Sequence, residues 1–133
     1  MADKSRFASA EVSADIAELG GVVKIYQVSL TGTVGTTRTV VTGHLDLPKG
    51  KYIIGAQISD GDSAKIKRIE IGSSSTASTS AIVVGNTTSN TNNVTKCANF
   101  TNAISLYVYA IASASLTISE DGRFSYLWAI KVA

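Results

Sequence analysis

The chain predicts an all-β fold, an antiparallel β-sandwich, and three observations carry that reading. From residue 22 to the end, short apolar/polar alternating runs succeed one another, and a period of two buries one face of each run while leaving the other in solvent. Gly, Ser, Thr and Asn, the residues of turns, separate the runs. After residue 21 there is no helix-length amphipathic segment, which argues against a parallel sheet of strand–helix–strand units.

Two segments are expected, an N-terminal arm or short helix over 1–21 and a β-sandwich domain over 22–133. In the arm, Ser9 to Leu19 is Ala-rich and acidic, Gly20-Gly21 would close a helical turn, and Val12, Ile16 and Leu19 fall on one stripe. The arm reads either as a frayed leader or as a segment that docks on a neighbouring subunit.

In order, the strands expected are Val22–Leu30, Arg38–Leu47, Tyr52–Ser59, Lys65–Ile71, Ser80–Val84, Asn93–Lys96, Ala103–Ile111, Ser115–Ser119 and Arg123–Val132. Tyr52, Ile54, Ala56 and Ile58 share one face of their strand, and Ile104, Leu106, Val108 and Ala110 share one face of theirs. Phe124, Tyr126, Trp128, Ile130 and Val132 give the last strand an expected inner face, and such a row belongs in a central strand. Pro48 and Gly50 mark one corner, Asp60-Gly61-Asp62 a second, and Glu120-Asp121-Gly122 a hairpin between the last two strands. Nineteen of the thirty residues from Ser73 to Asn102 are Ser, Thr or Asn, which predicts short edge strands and long rim loops, where binding surfaces sit.

Composition narrows the function. The 133 residues make one domain; charged residues are 17%, below the usual ~25%, and the net charge is only +2. With basic residues scattered, nucleic acid is not an expected partner. One cysteine rules out an internal disulfide. No apolar stretch comes after Met1–Ser5 and no run approaches membrane-spanning length, so neither a secretory signal nor a membrane partner is expected, and folding is expected in a cytoplasm.

No catalytic set, cofactor or metal site emerges. His44 has Asp46 two residues on but no nucleophile beside it in sequence, and reads as a solvent-face histidine. Cys97 reads as a half-buried structural thiol. Asp60, Asp62 and Ser63 have a cation-like spacing without the rest of a calcium loop, so a solvated turn is expected. Glu120 and Asp121 are adjacent in a turn and point apart. The triplets starting at Asn86, Asn93 and Asn99 match the glycosylation pattern as a Ser/Thr/Asn-rich stretch does by chance. The basic run Lys65-Ile66-Lys67-Arg68 has no aromatic interleaving and reads as a solvated edge. Tyr107, Tyr109 and Ile111 are the more suggestive residues. They occupy the face opposite Leu106 and Val108, and no charged residue occurs between Ala98 and Ser119. Three readings stand for them: a subunit contact, a carbohydrate-stacking platform, or cover from the same chain.

The run Leu47-Pro48-Lys49-Gly50-Lys51-Tyr52-Ile53-Ile54 resembles the apolar-Pro-x-Gly-x-Tyr-apolar lead into a strand found in jelly-roll domains of the C1q/TNF-like kind, and that resemblance implies a jelly-roll-like sandwich. The wider chain, Ser/Thr/Asn-rich, nearly cysteine-free and with an N-terminal arm, is similar to small virion accessory proteins of tailed bacteriophages, namely capsid decoration (cement) proteins and fibre-head domains. The similarity is one of style and brings no functional residues with it.

The expected function is therefore that of a non-enzymatic virion structural protein that binds and stabilises a capsid or tail surface. It is expected to work as a homo-oligomer, a trimer favoured, with Tyr107, Tyr109, Ile111, Val12, Ile16 and Leu19 at subunit contacts. Its partner would be a capsid or tail protein of the same particle, and its location the virion after folding in host cytoplasm. The alternative is a carbohydrate- or host-receptor-binding module using the rim loops between Ser73 and Asn102.

Overall fold

A computed structural model of the chain describes residues 24–59, 65–77, 80–86, 91–118 and 125–133. They form ten strands: β1 (Lys24–Ser29), β2 (Gly32–Val34), β3 (Thr39–Leu47), β4 (Gly50–Ser59), β5 (Ile66–Gly72), β6 (Val83–Asn86), β7 (Thr91–Phe100), β8 (Ile104–Ala112), β9 (Leu116–Ile118) and β10 (Tyr126–Lys131). Eight of them make two four-stranded sheets, ordered β1-β10-β4-β7 and β3-β8-β5-β6, and β2 pairs with β9 in a small ribbon. Every pairing is antiparallel. The chain passes repeatedly from one sheet to the other, and of the described strands the first, β1, lies beside the last, β10, which is the jelly-roll sandwich.

The core forms where the alternating faces of the two sheets meet. Tyr52, Ile54, Ala56 and Ile58 of β4 are buried against Ile69, Ile71, Leu106, Val108 and Ala110 of the opposite sheet. Both inner rows expected for β4 and β8 are thus in the core, with Ile104 partly buried at the end of its row. Tyr52 also anchors the Pro48 corner, its hydroxyl donating to the Pro48 carbonyl at 2.6 Å. Burial raises the Tyr52 phenol above its ordinary pKa.

Several expectations need correction. The last strand faces the other way: Leu127 and Ala129 are in the core, while Tyr126, Trp128 and Ile130 are only partly covered on the outer side. Both parities of this strand are apolar, so alternation did not decide between them. The register does, since Leu127 pairs with Ala56 and Ala129 with Ile54, residues that themselves point inward. The strand is central, as expected. Glu120-Asp121-Gly122 lies outside the described residues; the strands before and after it, expected to pair as a hairpin, do not pair with each other, since β9 pairs with β2, and β10 with β1 and β4. The expected four-residue strand at Asn93–Lys96 is a ten-residue strand, β7, running the full length of β4. Strand β2 was not expected; Val34 of β2 and Ile118 of β9 are buried in the core with Leu30.

One glycine sets a strand path. The β3–β8 register shifts between Val40 and His44, and Gly43 there has φ +125°, with a Cβ position only 2.6 Å from the Ser29 carbonyl oxygen. Only glycine accepts that backbone with so close a neighbour.

Candidate functional site

The inward choice of Leu127 and Ala129 leaves the outer face of β1-β10-β4-β7 with an aromatic and apolar centre. Trp128 lies over Gly55 of β4, its Cα partner. A Cβ at Gly55 would come within 2.2 Å of the indole ring, so the absent side chain makes the seat in which the ring rests. Ile25, Gln27, Gln57, Asn93, Thr95, Tyr126, Trp128 and Ile130 line an open groove of about 440 Å³ across this face. None of the eight carries a formal charge, and Ile25 at its edge is 67% exposed. An uncharged surface with a tryptophan, a tyrosine and two isoleucines is suited to burial against a partner, because no ion must lose its water.

Of the residues expected at subunit contacts, Val12, Ile16 and Leu19 lie outside the described residues. Tyr109 is fully buried by its own chain. Its hydroxyl donates to the Ser74 carbonyl at 2.9 Å and accepts from the Ser74 amide at 3.0 Å. The Arg38 guanidinium stands over its ring at 4.4 Å. Intrachain cover is therefore the correct reading for Tyr109, which is not available to a second chain. Tyr107 stacks on His44, ring centroids 5.0 Å apart, and is partly exposed. Ile111 is partly exposed beside Arg38, Arg68 and Glu70.

The clasp over Tyr109 is electrostatic. Glu70 is 3% exposed. Arg38 donates to it from Nε, 3.1 Å from each carboxylate oxygen, and from Nη2 at 2.9 Å. Arg38 also reaches the Ala77 carbonyl, which fastens the segment after β5 over the sheet. These bonds to Glu70 raise the Arg38 pKa. Arg68 Nε is 3.1 Å from Glu70 yet makes no aligned hydrogen bond, so its contribution is charge proximity and Arg38 carries the directed pairing.

His44, Asp46 and Ser105 come together on the outer face of the other sheet. The Ser105 hydroxyl donates to Asp46 Oδ1 at 2.5 Å, and His44 Nε2 is 3.4 Å from Asp46 Oδ2. A nucleophilic relay needs the imidazole between the serine and the carboxylate; here the carboxylate is between them, so the histidine cannot take the serine proton. The Ser105 hydrogen bond, helped by His44, holds the Asp46 carboxyl below its ordinary pKa. Ser105→Ala should raise that pKa toward the usual carboxylate value, read by carboxyl-carbon NMR titration. A depressed folded pKa stabilises the fold above the unfolded value and ceases to do so as pH falls through the folded one. An unmoved titration would show that Ser105 does not hold the carboxylate.

Cys97, expected half-buried, is exposed, on the outer-facing parity of β7 opposite Ile53. Asp60, Asp62, Ser63, Glu120 and Asp121 lie outside the described residues. Among the described residues no three of His, Cys, Asp and Glu gather as metal ligands, and no helix is long and apolar enough to cross a membrane.

Alternation alone puts the groove's centre, Tyr126, Trp128 and Ile130, in the core; the signal that reveals it is the second apolar parity of β10 together with the glycine at position 55. No family model matches the sequence, and no curated protein matches it. Among solved structures, the chain is similar to the crystal structure of rabbit GITRL, at 15% identity and a TM-score of 0.42, over 79% of this chain and 94% of that one.

Proposed function

We propose that this chain is a non-enzymatic virion structural protein that binds and stabilises a capsid or tail surface and works as a homo-oligomer, with the outer face of β1-β10-β4-β7 at its subunit contact. The observation that carries the contact is the uncharged groove around Trp128, with Ile25, Tyr126 and Ile130 beside it. A concave, uncharged surface with aromatic side chains at its centre has the make-up of the middle of a subunit contact, where charged residues are depleted and Tyr and Trp enriched. Aromatic side chains at such a centre contribute area and directional packing at once. The placement on a virion rests on the resemblance in composition to phage accessory proteins.

Adding charge to the face tests the contact. Ile25→Lys with Ile130→Lys should split the oligomer into monomers of unchanged circular dichroism, measured by light scattering, because each new ammonium would have to be buried against an apolar neighbour. An unchanged mass would remove this face from the assembly.

A second reading is favoured by the groove's rim. Gln27, Gln57, Asn93 and Thr95 border the Trp128 and Tyr126 rings, and an aromatic face ringed by amides and a hydroxyl suits a saccharide. A monomeric wild-type protein whose tryptophan fluorescence shifts on adding oligosaccharides would favour that reading over assembly.

A further inference from the structure

The two sheets end on four edge strands, β1, β7, β3 and β6, and an unguarded edge is a template for another chain's backbone. Among the described residues, three of the four are short or interrupted. Strand β6 has four residues and β1 has six, opening on Lys24. Strand β3 is bulged between Val40 and His44 and is bridged on its far side, where Thr31 and Thr42 exchange hydrogen bonds at 3.0 Å.

Strand β7 has no such device. Its ten residues run against β4 in unbroken register from Gly50↔Phe100 to Ser59↔Thr91, without a bulge and without proline. Among the described residues it pairs with β4 alone. Asn93, Thr95, Lys96, Cys97 and Asn99 are exposed. Its single charge, Lys96, turns back on its own body, where Nζ donates to the Ile82 carbonyl at 3.0 Å.

We infer that the free edge of β7 is a strand-pairing site, and that its occupant is β7 of a second copy of this chain, antiparallel about a two-fold axis. The strand complements itself. Paired about Thr95, an antiparallel copy sets Thr95 against its own counterpart, a pair that hydrogen-bonds across a sheet, and Asn93 against the small uncharged Cys97. Lys96 falls opposite an uncharged residue in every register except the one that sets it against its own copy. A two-fold pairing of this kind also closes, so it ends at a dimer of sheets rather than a fibre. The inference is independent of the face contact proposed above, since it rests on the backbone edge and not on the groove.

Hydrogen exchange on the full chain, at low and high protein concentration, tests it. In one edge strand alternate amides point toward β4 and away from it. Pairing should slow the outward set between Thr91 and Phe100 by at least about tenfold as concentration rises, with a two-chain species in sedimentation. Burial of the sheet face would not single out alternate amides, so the pattern separates the two contacts. Outward amides that exchange freely at every concentration, or protection that grows evenly along β7 or on β1 instead, would overturn the proposal.

Discussion

Replacing Leu127 by Ala should lower the unfolding free energy by about 3–4 kcal/mol, within the range for truncating a large aliphatic side chain in a filled core. Leu127 is fully buried and lies between Val28 and Ala56 across the two adjoining strands, so its truncation leaves a space lined by apolar side chains. Trp128→Ala should cost only about 1–2 kcal/mol, because the indole is covered on the Gly55 side and open on the other, so part of its transfer free energy is never gained. The ranking is the informative quantity: ordinarily the larger ring would be the costlier loss. Urea denaturation of both variants decides it, and a larger loss at Trp128 would mean that β10 faces the core with its aromatic parity.

Glu70→Ala should be the most damaging single change outside the apolar core, at about 3 kcal/mol, the low end for removing one partner of a buried ion pair because both arginines retain some solvent. The carboxylate accepts two directed contacts from Arg38 Nε and one from Nη2, and Arg68 stands at 3.1 Å. Without it, two guanidiniums face each other and Arg38 loses the hold that keeps it over the Tyr109 ring. In a domain of this size the loss corresponds to a fall of roughly 10 °C in Tm. A calorimetric shift below about 2 °C would show that the cluster is a solvated ion pair rather than a clasp.

How much could be read from the chain depended on whether one parity of a strand was plainly richer than the other. In β4 the row Tyr52, Ile54, Ala56, Ile58 stands against Lys51, Ile53, Gly55, Gln57, and its facing was legible. In β10 the row Tyr126, Trp128, Ile130 stands against Leu127 and Ala129, and alternation favours the bulkier row although it is the outer one. Size misled there, because the space between the sheets is already filled by Tyr52 and the isoleucines, and only a glycine on the neighbouring strand gives the tryptophan its seat. Strand β7 was half legible: Val94, Ala98 and Phe100 keep the inward period, and Lys96 interrupts it. The cover over Tyr109 was not legible, since Arg38 and Ser74 reach it from other strands and loops, and pairing at that sequence distance leaves no local pattern. The candidate groove is assembled from β1, β4, β7 and β10 for the same reason.

The neighbouring first and last strands have a mechanical consequence. Lys24 is the Cα partner of Lys131, and the register runs inward from there to Ser29 and Tyr126. Among the described residues, the chain therefore begins and finishes its course through this sheet at one end of the β1–β10 pair. A pull that draws Lys24 and Lys131 apart, across the strand pair, loads these inter-strand hydrogen bonds one after another, like a zip. Opposed forces along the two strands would strain them all together. The sandwich thus yields readily to tension between Lys24 and Lys131 and resists tension carried along the sheet, so whatever holds it in place keeps it intact best by gripping its faces.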